Sequence, residues 1–186
     1  MNDDDRKKLA ETLKTADTEV LKEIVREAES FLAAQLAAGL ASDQRAINSA
    51  VYLAAILAAV VGGTATLVSV GTSLGWHLVG IAWLVCCIAF ALIHAVRAAR
   101  PTPFSYTGNN PVHWASDIRE KRPLQDSLAG QAALYAQGIR SNVECLDAAH
   151  ANMNLALIAG VVGVLGFALG EFIIILATFA KNGLPF

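Results

Sequence analysis

Three long stretches that contain almost no Lys, Arg, Asp or Glu constrain the fold of this chain more than any other feature. They cover residues 50–70, 76–96 and 155–180, and only the third contains a residue of those four types, Glu171. Each is about as long as the roughly 20 residues that a helix needs to cross the hydrocarbon core of a bilayer. Three buried helices of a soluble protein would need more covering chain than 186 residues provide. The sequence therefore predicts an all-α membrane protein with three transmembrane helices.

The overall composition agrees with this prediction. The chain is 55% hydrophobic and 16% charged, whereas soluble domains average about 45–50% and about 25%, and its mean hydropathy is +0.48. A net charge of -2 gives no indication of a nucleic-acid-binding protein. Residues 1–29 are densely charged and lack the apolar core of a signal peptide, so we expect the first span to be an internal anchor.

The distribution of Lys and Arg predicts the orientation. Seven of them precede the first span, none lies in the turn 71–75, six lie between the second and third spans, and one follows the third. Cytoplasmic loops carry the excess of positive charge. The N-terminus and the segment between spans two and three are therefore expected in the cytoplasm, and the turn and the tail 181–186 outside. In a bacterial inner membrane, the outside is the periplasm.

Two amphipathic helices are predicted in the cytoplasm, at 1–49 and 123–154, each continuous with the span that follows it. Apolar residues recur at steps of three or four in both segments, and Pro123 is suited to a first helical turn. We interpret the two apolar stripes as packing on each other or on neighbouring subunits. The competing interpretation, helices lying flat on lipid, is disfavoured because their polar faces are mixed in sign.

The segment 99–122 is predicted to be an irregular loop, since it combines prolines, a glycine and paired asparagines. Its aromatic residues leave two interpretations open. They pack onto the cytoplasmic helices, or they form a recognition loop for a partner or a small ligand stacked on Tyr106 or Trp114. The candidate residues are Phe104, Tyr106, His113 and Trp114.

Four glycines lie along one side of the third span, which predicts a helix-packing face. Their spacings are three, three and four residues, and the last pair forms a GxxxG motif that lets another backbone approach closely. The four are Gly160, Gly163, Gly166 and Gly170. We expect the facing surface to be Gly62-Gly63 in span one.

Glu171 directly follows this face and is the one carboxylate within a span. A charge at mid-bilayer costs about 2.5–3.5 kcal/mol on insertion scales, so such a group usually faces a bundle interior or a water-filled path. Three interpretations remain: a neutral, hydrogen-bonded carboxyl within the bundle, an interfacial residue with little role, or a pore or proton-path group.

A polar cluster of Asp43, Gln44 and Arg45 stands at the inner entrance to span one. It either anchors the helix at the lipid headgroups or forms a polar joint with Asn152 and Asn154 at the start of span three. The histidines and cysteines show no metal-ligand spacing. We find no phosphate-binding glycine loop and no arrangement for nucleophilic or acid–base catalysis, so neither a cofactor nor an enzymatic activity is predicted.

The layout resembles that of small bacterial membrane proteins of the SLATT and Pycsar-effector type. The resemblance lies in Leu-Ala-Ser-Asp-Gln-Arg-Ala at 40–46 entering span one, the turn 71–75, and residues 133–142 leading towards the last span. It implies a membrane-disrupting or pore-forming effector of phage defence, sometimes triggered by a nucleotide. This chain has three spans where the SLATT pattern has two, and the resemblance implies no individual site residues.

These observations support three hypotheses for the function. The first is a non-enzymatic membrane effector or channel-like protein that assembles as a homo-oligomer through span three and the cytoplasmic helices. The second is a structural or signalling subunit whose cytoplasmic helices dock a soluble partner. The third is a membrane enzyme or transporter that uses Glu171.

Overall fold

Helices make up most of the part of the chain described by a computed structural model, residues 1–71, 75–108 and 110–182. Within these ranges there are five helices and no strand: α1 (Asp3–Leu13), α2 (Thr18–Ser69), α3 (His77–Ala98), α4 (Pro111–Arg119) and α5 (Leu124–Asn182). The all-α class is confirmed.

Three of these helices, α2, α3 and α5, are long and apolar enough to cross a membrane. The exposure of their apolar residues indicates whether water or lipid surrounds them. In the most apolar 18-residue window of each helix, the share of residues buried inside the chain is 0% for α2, 22% for α3 and 6% for α5. Water would not tolerate so much contiguous apolar surface, whereas lipid does. The chain is a membrane protein with three helices of spanning length.

Two helices extend well beyond the length of a span, as predicted. Helix α2 has 52 residues and includes span one, and α5 has 59 residues and includes span three. One boundary differs from the prediction. The helix expected over 1–49 is interrupted, because α1 ends at Leu13 and α2 begins at Thr18.

The interruption has local and tertiary causes. The Thr15 hydroxyl donates to the carbonyl of Thr12, and such side-chain bonds compete with the helical pattern. The Gln125 side-chain amide donates to the carbonyls of Lys14 and Ala16 at 2.6 and 2.8 Å. These carbonyls would accept backbone hydrogen bonds if the helix were continuous. Asp17 then precedes α2, at a position where aspartate is favoured.

The segment 99–122, predicted to be irregular, contains α4. The prediction is wrong there because prolines and paired asparagines, although typical of turns, also begin helices, as Asn110 and Pro111 do. The Asn110 side chain accepts a hydrogen bond from the Val112 amide at 3.1 Å, and Pro111 occupies the first turn. Proline is suited to that position, where its missing N–H would have no helical partner.

Helix α4 ends in a Schellman motif that turns the chain towards α5. The Arg122 amide donates to the Asp117 carbonyl, and the Lys121 amide donates to that of Ile118. Lys121 has a φ of 54°, a left-handed conformation that costs a residue with a Cβ about 1–2 kcal/mol. The chain therefore accepts strain at this turn.

The chain divides into two compact units, which we number. Unit 1 comprises Met1–Ala41 and Pro101–Ala148, and unit 2 comprises Ser42–Arg100 and Ala149–Phe186. In unit 1, α2 packs on α5 around buried Leu21, Leu128 and Ala129. This cluster also receives apolar side chains from the α1–α2 segment and Trp114 from α4. The predicted packing of the two apolar stripes on each other is therefore present within one chain.

In unit 2, α3 and α5 run antiparallel, because the first residue of α3 contacts Glu171 whereas His94, near its end, contacts Asn152. The less exposed positions of α3 recur every three or four residues, and those of α5 do the same. This period of about 3.5 is typical of left-handed helix pairs. Towards the start of span one, Ala50 and Leu53 pack against the buried cluster of Ala91, Ala95 and Ala156.

Glycines flank the turn between α2 and α3. Gly71 and Gly75 have φ values of +79° and +48°, in the region that glycine adopts without a Cβ clash. The rest of the predicted turn, 72–74, lies outside the described residues, as does most of the predicted tail, 183–186.

Candidate functional site

Two of the four span-three glycines provide the contact between α5 and α3. A Cβ added at Gly163 would lie 2.6 Å from Cys87 Cβ, and one added at Gly166 would lie 2.5 Å from Trp83 Nε1. Real carbon atoms in contact lie about 3.5–4.0 Å apart. The absence of side chains at these two positions is what lets the helices approach.

The remaining glycines behave differently. A Cβ at Gly160 or Gly170 would meet nothing within 4 Å, and the same is true at Gly62 and Gly63. The expectation that span one faces the glycine side of span three is therefore wrong within the chain. The facing helix is α3, which offers the small Cys87 side chain and the edge of the Trp83 ring.

Glu171 pairs with His77, a contact that the sequence did not reveal. The imidazole Nδ1 and the carboxyl Oε2 lie 2.6 Å apart and share a hydrogen bond. His77 is the first residue of α3, so the pair lies beside the α2–α3 turn, at one end of span two. The other oxygen, Oε1, is buried and has no hydrogen-bond partner in the described part of the chain.

Gly80 makes room for this pair. A Cβ at Gly80 would lie 3.3 Å from Glu171 Oε1 and 3.3 Å from Phe167 Cδ2, so a larger residue would crowd both. Next to it, an apolar groove of about 410 Å³ runs between α3 and α5. Two tryptophans, Trp76 and Trp83, contribute to its lining.

A second histidine connects the same helices at their other end. His94 is buried, and its Nδ1 donates to Asn152 Oδ1 at 2.9 Å. Its ring also lies 4.5 Å from that of Phe90, centroid to centroid. In the predicted cluster on α2, Gln44 donates to Asn48 at 3.0 Å, and Asp43 is half-buried while Arg45 is exposed.

The predicted recognition residues divide into packed and exposed ones. Phe104 lies against Gly39, where an added Cβ would come within 2.9 Å of its ring, and Trp114 packs against the unit 1 core. Tyr106 remains 68% exposed. His113 lies on α4, and its side chain is outside the described part of the structure.

A buried asparagine holds the connecting segment onto the helices of unit 1. Asn142, fully buried on α5, accepts a hydrogen bond from the Ser105 amide at 2.8 Å and donates to the Ser105 carbonyl and to Gln35 Oε1. Gln35 in turn donates to the Ile139 carbonyl. The buried side-chain amide of Asn142 thus finds its partners in the half-buried backbone of Ser105 and in Gln35.

Tyr135 makes a second polar connection in unit 1. Its hydroxyl donates to Glu29 Oε1 at 2.7 Å and accepts from the Gly108 amide at 3.1 Å. Burial raises the pKa of Tyr135, and the hydrogen bond to Glu29 raises it further. The phenol therefore stays protonated beyond its ordinary range.

Unit 1 also contains a cavity of about 670 Å³, bounded by α1, α4 and the start of α5. Its lining includes the cations Arg6, Lys7 and Arg122, the carboxylates Asp117 and Asp126, and the Trp114 ring. Pockets for small molecules usually measure about 300–1,000 Å³. Among the described residues, no group of three or more His, Cys, Asp or Glu side chains could hold a metal ion.

Comparison with known proteins adds no relative: no family model, curated protein or solved structure matches this chain.

Proposed function

We propose that this protein is a non-enzymatic membrane protein that assembles with copies of itself into a channel-like or membrane-perturbing complex, as an effector would. The observation that carries the proposal is the outward face of span one. Small residues recur there at steps of four, three, four and three: Ala55, Ala59, Gly62, Thr66 and Ser69. Small residues on a span let a second backbone approach closely.

The opposite face of the same helix already has neighbours. Leu53, Leu57 and Val60 are half-buried, whereas Gly62 is exposed and would meet nothing within 4 Å if it carried a Cβ. The hydroxyl of Thr66 donates to the carbonyl of Gly62 at 2.9 Å, so this face presents few unsatisfied polar atoms to a partner. A second copy of span one fits these requirements.

The test compares two glycines of span one. Gly62→Leu places a large side chain on the small-residue face, whereas Gly63→Leu adds the same side chain about 100° around the helix, where there is also open space. In detergent micelles, Gly62→Leu should reduce the mass of the complex, and in liposomes it should reduce dye leakage. Gly63→Leu should change both much less. A wild-type protein that is monomeric at every concentration and leaves liposomes tight would refute the proposal.

The orientation belongs to this proposal: the N-terminus and the whole segment between spans two and three lie in the cytoplasm, and residues 181–186 lie outside, in a bacterial inner membrane. Single cysteines at Lys8 and Arg119, in a chain whose three native cysteines are replaced, should resist a membrane-impermeant maleimide in intact spheroplasts and react after lysis. Labelling of Lys8→Cys and Arg119→Cys on opposite sides would contradict a shared cytoplasmic location.

Exposed apolar residues in unit 1 favour a second candidate function, a subunit that docks a soluble protein. Val112 and Ile118 on α4 are 71% and 74% exposed, and Tyr106 is 68% exposed. A photo-crosslinker at Val112 should capture one partner in the native host, and Ile118→Asp should abolish the capture. Capture that Ile118→Asp leaves unchanged would argue against docking on α4.

A further inference from the structure

The large cavity of unit 1 combines an excess of positive charge with an aromatic wall. Of its two carboxylates, Asp117 accepts a hydrogen bond from Ser127 at 2.7 Å and lies 3.5 Å from the Arg122 guanidinium. Asp126 lies 3.9 Å from the Lys14 ammonium, which also lies 2.7 Å from Glu11. Both negative charges therefore have a cation nearby within the chain.

The cations of α1 are less well matched. Arg6 donates to the Gln137 amide oxygen at 3.2 Å and lies 3.3 Å from Asp3, a carboxylate that is 73% exposed and so compensates weakly. Lys7 forms no ion pair or hydrogen bond with the described residues. The cavity thus presents at least one uncompensated positive charge beside a fixed guanidinium.

The neighbouring wall of the cavity is apolar. Trp114 is supported from behind by the core around Leu21 and Leu128, so its ring is held in place. Ala133 and Leu134 extend this surface. At Gly130 an added Cβ would meet nothing within 4 Å, which leaves the space beside them open.

We propose that this cavity binds a small organic anion, with the anionic group at Lys7 and Arg6 and a flat apolar body along Trp114. An anion compensates the charge excess through charge-assisted hydrogen bonds, and a ring gains contact with a tryptophan that is already ordered. Binding of this anion does not depend on self-assembly. It adds a second property to the proposed function, a ligand site in the part of the chain outside the spans.

Three probes test which feature of the ligand matters: naphthalene-2-sulfonate has ring and charge, naphthalene-2-sulfonamide has the ring alone, and inorganic sulfate has the charge alone. Titration calorimetry on the full-length protein in a non-ionic detergent should detect saturable binding of the sulfonate at about millimolar dissociation constant, as expected for a fragment of this size. The other two probes should bind at least about tenfold more weakly, because each lacks one contact.

The matched variants are Lys7→Gln and Lys8→Gln. Both remove one exposed positive charge from α1, but only Lys7 lines the cavity. Lys7→Gln should weaken sulfonate binding by about tenfold, and Lys8→Gln by less than about twofold, the effect expected from the change in net charge alone. Circular dichroism should show unchanged helicity for both.

Several results would overturn the proposal: no saturable heat with the sulfonate, equal binding of sulfonate and sulfonamide, or equal effects of the two lysine variants. The source of the anion is decided by repeating the titration in nanodiscs. Phosphatidylglycerol that competes with the sulfonate would identify the anion as a lipid headgroup, and unchanged sulfonate binding would identify it as soluble.

Discussion

Adding one methyl group to α5 tests the glycine contact between α3 and α5. At Gly163 the new Cβ would lie 2.6 Å from Cys87 Cβ, about 1 Å closer than a normal carbon contact. A Cβ cannot swing away as the end of a long side chain can, so one helix backbone must move. Overpacking of this kind costs about 1–3 kcal/mol.

Gly160 supplies the matched control, since it lies one turn earlier on the same helix and an added Cβ meets nothing within 4 Å. Alanine favours the helix over glycine by about 1 kcal/mol at either position, so this gain cancels in the comparison. Gly163→Ala should therefore be less stable than Gly160→Ala by about 1–3 kcal/mol. Reversible unfolding in mixed detergent micelles measures the difference.

A compensating change at Cys87 makes the test specific. Cys87→Gly removes the atom that the new methyl would meet, so the double variant Cys87→Gly/Gly163→Ala should recover stability relative to the sum of the single changes, by about 1–2 kcal/mol. Equal stability of Gly163→Ala and Gly160→Ala, or a double variant that shows simple additivity, would refute the account of the contact.

Three further predictions concern unit 1. Asn142→Leu should lower the free energy of unfolding by about 3 kcal/mol, because it removes two hydrogen bonds to the half-buried backbone of Ser105 and a third to Gln35; chemical unfolding measures it, and a loss below about 1 kcal/mol would contradict the role given to this amide. Lys121→Gly should raise the melting temperature by relieving about 1 kcal/mol of left-handed strain; a lower melting temperature would show that the lysine side chain matters more. Because the pKa of Tyr135 is raised by burial and by Glu29, the folded state holds the phenolic proton more tightly than the unfolded chain. Stability should thus be unaffected well below the ordinary value of 10.0 and fall as the pH rises through it, and Tyr135→Phe should remove this component; an identical alkaline profile in both proteins would exclude it.

The spans were predictable because their signal is local and unambiguous. A run of about 20 residues without charge has few alternatives in a chain of this length, and α2, α3 and α5 contain the three runs. The break before α2 was less predictable. It depends in part on Gln125, which is more than a hundred residues away in the sequence and donates to carbonyls of the α1–α2 segment.

The failure to predict helix α4 has a different cause, since the signals of a helix start are present in the sequence. Asn110 followed by Pro111 is a favourable helix start as well as a turn signal, and the two other prolines and the glycine of the segment favoured the turn. The helix is only 9 residues long. Its Trp114 side chain packs against the core of unit 1, and such tertiary packing supplies most of the stability of short helices.

The glycine face and Asn142 show what pattern alone leaves open. Spacing identifies a side of span three on which a neighbour can approach, but any apolar helix satisfies that requirement, and the choice of α3 depends on the small Cys87. Asn142 stands between Ser141 and Val143 on α5, and this position in the sequence does not identify a partner. The partner is the backbone of Ser105, whose groups carry no sequence signal.

Glu171 shows how the fold narrows a functional interpretation. The sequence left its depth open, whereas the pairing with His77 places it level with the first residue of α3, beside the α2–α3 turn. A carboxylate at the end of a span costs less than one at mid-bilayer, since lipid headgroups and water lie near. One of its oxygens is hydrogen-bonded to His77 and the other is enclosed beside Gly80. The geometry therefore favours a hydrogen-bonded contact between α3 and α5 over a side chain that lines a water-filled pore. Any channel built by copies of this chain would then be lined by residues other than Glu171.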